Sequence, residues 1–366
     1  MNFPPKMAGR FVCALAWMIC FGSPVALAEP YLAVQLGYKC NACHVNPTGG
    51  GLRNDFGVVV AKNVVPEDTL GKDAPAWSGK VSDMIRLGGD LRASWSRTDI
   101  PNTHSQHLFS LDQVRLYADV AIIPDRLGVY IDEQVAPNAA QNLEAYVRYG
   151  NPANGWYVKG GKFYLPFGWR LQDQTAFVRE ATGVSMTTPD NGLEIGYEKP
   201  NWSAQVDVSN GAANAQSGTG HEVTGQVVYV QPIWRLGVAV SSTQAVAGNR
   251  EVAGLFAGFR TGPVAWLGEA DFIKDDGFPG GARKTISALG EMDWNLAKGH
   301  NLKFTDEFRD PDRSVANDQQ TRWSALYEYT PLPFVQLRAG FRRYRGIPQN
   351  DLQNHRLLFF ELHGYF

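Results

Sequence analysis

The sequence predicts an all-β fold, a transmembrane antiparallel β-barrel of about 16 strands with a small N-terminal segment ahead of it. Three observations carry that expectation. From Met84 to Phe366 apolar and polar residues alternate in one short segment after another. The breaks between those segments are alternately short and long. After the first 28 residues no run of 18 apolar residues occurs, so helical membrane spans are excluded.

The alternation is plain in the first segment. Ile85, Leu87, Leu91, Ala93 and Trp95 share one parity, and Arg86, Asp90, Arg92, Ser94 and Ser96 share the other. A period of two places the two sets on opposite faces of a strand. Val114, Leu116, Ala118 and Val120 repeat the pattern against Gln113, Arg115, Tyr117 and Asp119. Trp202, Ala204, Val206 and Val208 do so against Ser203, Gln205, Asp207 and Ser209, and Leu302, Phe304 and Phe308 against Lys303, Thr305, Glu307 and Arg309. Strands are expected near residues 90, 117, 130, 146, 159, 195, 206, 227, 237, 256, 268, 290, 305, 326, 338 and 360. A closed barrel leaves no strand edge unpaired, as a hydrocarbon layer without water requires.

Short turns are expected at Pro124-Asp125, Asn151 to Gly155, Pro200-Asn201, Gln231-Pro232, Gly262-Pro263, Ala297 to Gly299 and Pro331 to Pro333. Longer loops are expected near 97–108, 164–190, 210–221, 242–250, 273–284, 310–320 and 346–355. Short periplasmic turns and long extracellular loops are the outer-membrane pattern. The last strand, with Leu358, Phe360, Leu362, Gly364 and Phe366 in alternation, resembles the C-terminal signature of bacterial outer-membrane proteins. Gly161-Lys162-Phe163-Tyr164-Leu165-Pro166-Phe167-Gly168 resembles a motif of phosphate-selective-type porins.

The start of the chain reads as a secretory signal peptide, residues 1–28. Lys6 and Arg10 precede an apolar stretch from Phe11 to Val25, and Ala26-Leu27-Ala28 is a small-residue cleavage site. The stretch is too short for a membrane anchor and is interrupted by Pro24. Cleavage removes Cys13 and Cys20 and leaves Cys40 and Cys43 in a mature chain that begins at Glu29. Two cysteines do not staple an exported protein of this size; they point to one local purpose. The net charge of −2 offers no basic face for nucleic acid, so no nucleic-acid partner is expected.

That purpose is legible at Cys40-Asn41-Ala42-Cys43-His44, a CxxCH sequence for covalent attachment of one c-type haem. Two thiols three positions apart can add to the two vinyl groups of one porphyrin, and the adjacent imidazole then ligates the iron. Other readings need more than the sequence supplies. A redox CxxC needs a thioredoxin-like context, and zinc needs a fourth ligand. A Cys40–Cys43 disulfide stays open as an alternative but leaves His44 unexplained. The glycine-rich stretch from Asn46 to Gly57 lets backbone approach a flat macrocycle, with Phe56 able to cover its edge and Arg53 able to pair with a propionate. The segment from 29 to 80 is too small to fold well without a cofactor or a partner surface. The lumen of the barrel, residues 81–366, is wide enough to receive it as a plug.

A leader, one CxxCH, a short glycine-containing segment and a porin-like barrel together resemble the monohaem cytochrome–porin fusion proteins of the bacterial outer membrane. The resemblance implies haem c at Cys40, Cys43 and His44, with His44 the proximal iron ligand. The best-known members oxidise extracellular iron, but iron as substrate does not carry over to this chain.

The expected function is electron transfer through that haem, linking an extracellular donor or acceptor to a periplasmic c-type cytochrome or other redox protein. Outer-membrane lipid surrounds the barrel. No catalytic constellation points to a substrate-converting enzyme. The alternative is a solute channel with a haem plug as gate or sensor, in which Arg86, Arg92, Arg115 and Arg148 would favour anions. For the distal iron ligand the candidates are His363 and Met84. Both have lumen-facing parity, and closure of the barrel would bring the first and last strands together beneath the plug.

Overall fold

In a computed structural model, residues 29–70, 75–153, 155–211 and 220–366 are described. The expected leader, residues 1–28, and the tip of the loop around residue 215 lie outside them. Sixteen antiparallel strands form a closed barrel in which each pairs with its neighbours in sequence and β1 closes on β16. They are β1 (Ile85–Asp99), β2 (Gln106–Ile123), β3 (Leu127–Ala136), β4 (Gln141–Gly150), β5 (Gly155–Phe163), β6 (Asp190–Lys199), β7 (Trp202–Ser209) and β8 (His221–Val230). They continue as β9 (Trp234–Ala245), β10 (Gly248–Thr261), β11 (Val264–Asp275), β12 (Arg283–Ala297), β13 (His300–Asp310), β14 (Gln320–Leu332), β15 (Val335–Arg345) and β16 (Arg356–Tyr365). Every expected strand centre falls inside one of them.

The parity read from the sequence sets the two faces. Leu87, Leu91, Leu116, Val206, Val208, Phe304 and Phe360 point outward and are exposed, forming an apolar surface. Arg92, Arg115, Tyr117, Gln205, Asp207, Lys303 and His363 point inward and are buried. No helix among the described residues is long and apolar enough to cross a membrane, and the apolar band lies on the strands instead.

Two loops depart from expectation. The stretch 242–250 is not a long loop: β9 and β10 run on past it, and only residues 246–247 separate them. The stretch between β5 and β6, residues 164–189, does not stand outside the barrel. Tyr164, Leu165, Phe167, Trp169 and Leu171 are buried in the lumen, followed by a short helix, Phe177–Thr182. Lumen-wall side chains hold it there. Glu269 accepts from Trp169 N at 3.0 Å and pairs with Arg179, Glu307 accepts from Phe177 N at 2.7 Å, and Arg322 Nη2 donates to Asp173 Oδ2 at 2.8 Å. An apolar loop that can bury five large side chains gains far more inside than in water.

The N-terminal segment enters the same lumen at the short-turn end. It contains α1 (Pro30–Leu36) and α2 (Asp55–Asn63). Pro30 suits the first turn of α1, since its missing N–H would have no helical partner. Gly37 ends the helix in the left-handed region, at φ 71°, and a Cβ there would lie 2.6 Å from Pro232 O. Only glycine lets the chain turn so close to the barrel. Gln35 Nε2 donates to Gly262 O at 3.0 Å and Asn41 Nδ2 to Pro152 O at 2.9 Å, tying the segment to two short turns.

Candidate functional site

The CxxCH residues sit between α1 and α2. Cys40–Ala42 form one 3₁₀ turn, closed by Cys43 N and His44 N donating to Cys40 O at 3.2 and 3.1 Å. Asn54 locks this turn to the next helix. Its Oδ1 caps α2 by accepting from Gly57 N at 3.0 Å, while its Nδ2 donates to Asn41 O at 3.1 Å and Ala42 O at 3.0 Å. Gly57 packs so tightly that a Cβ on it would lie 2.1 Å from Cys43 O. Val45 N donates to Leu52 O at 3.0 Å, which folds Asn46 to Gly51 into a compact loop. Gly49, Gly50 and Gly51 all have positive φ, the backbone freedom that the glycine-rich stretch implied.

The barrel wall fixes this loop. Asn46 Nδ2 donates to Glu144 Oε1 at 2.9 Å, Leu52 N to Tyr130 Oη at 3.1 Å, and Arg148 Nη1 to Val45 O at 3.3 Å. Lys39 donates to Glu198 Oε2 at 2.5 Å, and Glu29 bridges Lys303 and Arg338. The arginines expected to bias a channel towards anions are committed elsewhere. Arg86 pairs with Asp55 of α2, Arg92 with Asp90 and Glu361, Arg115 with Asp132, and Arg148 faces Asp119.

Cys40 and Cys43 are free thiols, each half-buried. Burial pushes both upward, Cys43 to about 11 with Cys40 adding to the effect. His44 is buried and its Nδ1 has no hydrogen-bond partner. Burial first, then the Arg53 guanidinium, pushes the imidazole down to about 3, so it is neutral at physiological pH. Two guanidiniums flank the motif with no carboxylate within 4 Å among the described residues. Arg53 lies 4.4 Å above the Tyr365 ring, and Arg170 donates to Thr48 Oγ1 at 2.8 Å while its buried Nε and Nη2 have no acceptor. The sequence reading singled out Arg53 but missed Arg170, which lies in the inward loop.

These groups share one cavity of about 580 Å³, lined by Cys40, Cys43, His44, Gly50 and Arg170 on one side. On the other side it runs along β1 and β16, past His363 and on to Ser96 near the long-loop end. His363 is therefore brought to the site. Met84 is not. It is exposed just before β1, and its carbonyl accepts from Ala121 N of β2. The residue across from His363 is Arg92, eight positions further along β1. At about 3.3 Å per residue that separates Met84 from His363 by roughly 26 Å of strand, so the expected pair is not formed.

No family model and no curated protein matches the sequence. Solved structures do resemble the chain. The anion-selective porin from Comamonas acidovorans superposes with a TM-score of 0.59 at 13% identity, covering 77% of this chain and 99% of its own. The outer membrane channel DcaP of Acinetobacter baumannii gives 0.57 at 14%, covering 77% and 97%. OmpT of Vibrio cholerae in its trimer form gives 0.59 at 8%, covering 78% and 100%. The fold is that of outer-membrane porins. At these identities the likeness extends to the barrel architecture and no further.

Proposed function

We propose that this chain lies in the bacterial outer membrane and transfers single electrons through one c-type haem, held on a plug in its porin-like lumen. The observation that carries the reading is the place of the CxxCH segment: both thiols and His44, whose Nδ1 has no hydrogen-bond partner, line one cavity inside a closed barrel. The residues fit a haem. Cys40 and Cys43 would form the thioethers, and the neutral His44 would ligate iron. The Gly49 to Gly51 backbone lines the cavity that would take the ring, and Arg53 and Arg170 would meet the propionates. The group would supply a one-electron couple, and the chain would orient it.

The site also has two accessible sides. Tyr38, Phe56 and Val59 are exposed at the short-turn end beside the motif, a face suited to a periplasmic c-type cytochrome or another redox protein. The cavity reaches towards the long loops, where an extracellular donor or acceptor would enter. A hydrocarbon core is about 30 Å thick, so a single haem serves both sides only from within the lumen. The apolar outer face and the likeness to outer-membrane barrels support the location.

A second reading, a solute channel with the segment as gate or sensor, draws on the neighbours, two of which are described as a channel and an anion-selective porin. Redox titration of the purified protein, run beside solute flux in liposomes, separates the two. Electron transfer predicts a reversible one-electron couple with little flux. Free flux without a redox couple would overturn it in favour of the channel.

A further inference from the structure

The attachment motif would supply one protein ligand to the iron, and neither residue expected from the sequence is suited to supply a second. Met84 lies outside the cavity. His363 lines it, but both ring nitrogens are occupied: Nε2 lies 2.8 Å from Arg92 Nη2 and 2.8 Å from Asp90 Oδ2, and Nδ1 lies 3.2 Å from Gln336 Oε1. To reach iron, the imidazole would have to leave a buried, charge-assisted network.

We propose that Met186, on the inward-folded segment between β5 and β6, is the sixth ligand of the iron. The inference rests on the haem reading above. Met186 lines the same cavity as Cys40, Cys43 and His44. A methyl group placed on Gly50 would lie 3.5 Å from Met186 Sδ, and Gly50, Gly51 and His44 line the same cavity. The thioether and the imidazole thus border the same stretch of the glycine loop. Its backbone is anchored while its side chain stays adaptable. Gln174 Oε1 accepts from Met186 N at 2.8 Å, and Thr188 Oγ1 accepts from Ser185 N and donates to Gly183 O, both at 2.8 Å. An unbranched thioether has no hydrogen-bond demand that ligation would leave unmet, and sulfur is a fitting donor to haem iron. The assignment gives the inward loop a purpose: it closes the cofactor site from the channel side. Methionine opposite histidine raises the reduction potential relative to two histidines.

The test uses the mature full-length protein carrying its haem. Wild type, Met186→Leu, Met186→His and His363→Gln are compared by haem stain on denaturing gels, by spin state in absorption and paramagnetic resonance spectra, and by midpoint potential. The expected result is a low-spin wild type and a high-spin Met186→Leu that keeps its stained haem. Met186→His should stay low-spin at a lower potential, and His363→Gln should resemble wild type. A Met186→Leu protein that stays low-spin at an unchanged potential overturns the assignment, and a high-spin His363→Gln passes it to that histidine. A wild type without stained haem overturns the underlying reading, and this one with it.

Discussion

Asn54 ties the attachment turn to α2, and removing its side chain has a cost that can be worked through. Its Oδ1 caps the helix by accepting from Gly57 N, and its Nδ2 holds two carbonyls of the Cys40–Ala42 turn. A lost N-cap costs about 1 kcal/mol, and two lost side-chain hydrogen bonds about 1 kcal/mol each, so Asn54→Ala should weaken the segment by about 3 kcal/mol. Every 1.4 kcal/mol is tenfold, so local opening should become about 100-fold more frequent. Hydrogen exchange at the α2 amides of Val60, Ala61 and Lys62 reads this directly, while the strands should keep their protection because they do not depend on the segment for pairing. Asn54→Asp keeps the cap acceptor and loses only the donors, so its effect should fall between wild type and alanine. Unchanged α2 protection in Asn54→Ala would refute the reasoning, as would equal loss of protection in the strands.

Further outcomes follow from the same geometry. Burial works to raise the Glu29 carboxyl, but Lys303 and Arg338 outweigh it and bring it from its ordinary 4.5 down to about 2. Its contribution to seating α1 is therefore complete above pH 4.5 and lost as the pH falls towards 2; exchange at the α1 amides should speed up across that window, and Glu29→Gln should flatten the dependence. Gly37→Ala forces a β-carbon into left-handed backbone, costing about 1–2 kcal/mol, and also against Pro232 O; protease sensitivity between Tyr38 and Lys39 should rise, and an unchanged digest would contradict the close approach. An epitope near residue 316 should be detected on intact cells, whereas one near 174, inside the lumen, or 298, at a short turn, should not be. Surface detection at 174 would contradict the inward fold of that loop.

The barrel was legible because a two-sided strand needs alternation, and turns rich in Pro, Gly and Asn interrupt it at each end. What failed has physical causes. Ser241-Ser242-Thr243-Gln244 reads as a loop by composition, yet its inward positions are polar because they face the lumen, so β9 simply continues. The segment from Tyr164 to Pro189 has no period, and nothing local reveals that Glu269, Glu307 and Arg322 of distant strands draw it inside. The stagger at closure is likewise a property of the whole barrel. It places Arg92 across from His363, leaving Met84 eight positions back along β1. At the site, Cys40, Cys43, His44 and Arg53 could be named from their own neighbourhood. Arg170 and Met186 could not, because each reaches the cavity through the fold of that inward loop.

The central claim is a covalent bond between haem and the thiols of Cys40 and Cys43, and intact mass of the protein purified from a host that matures c-type cytochromes tests it most directly. The expected mass is that of the purified chain plus one haem, reduced to the bare chain in the Cys40→Ala, Cys43→Ala double variant. A wild-type mass equal to the bare chain, or to that chain with two hydrogens lost to a Cys40–Cys43 disulfide, would contradict it.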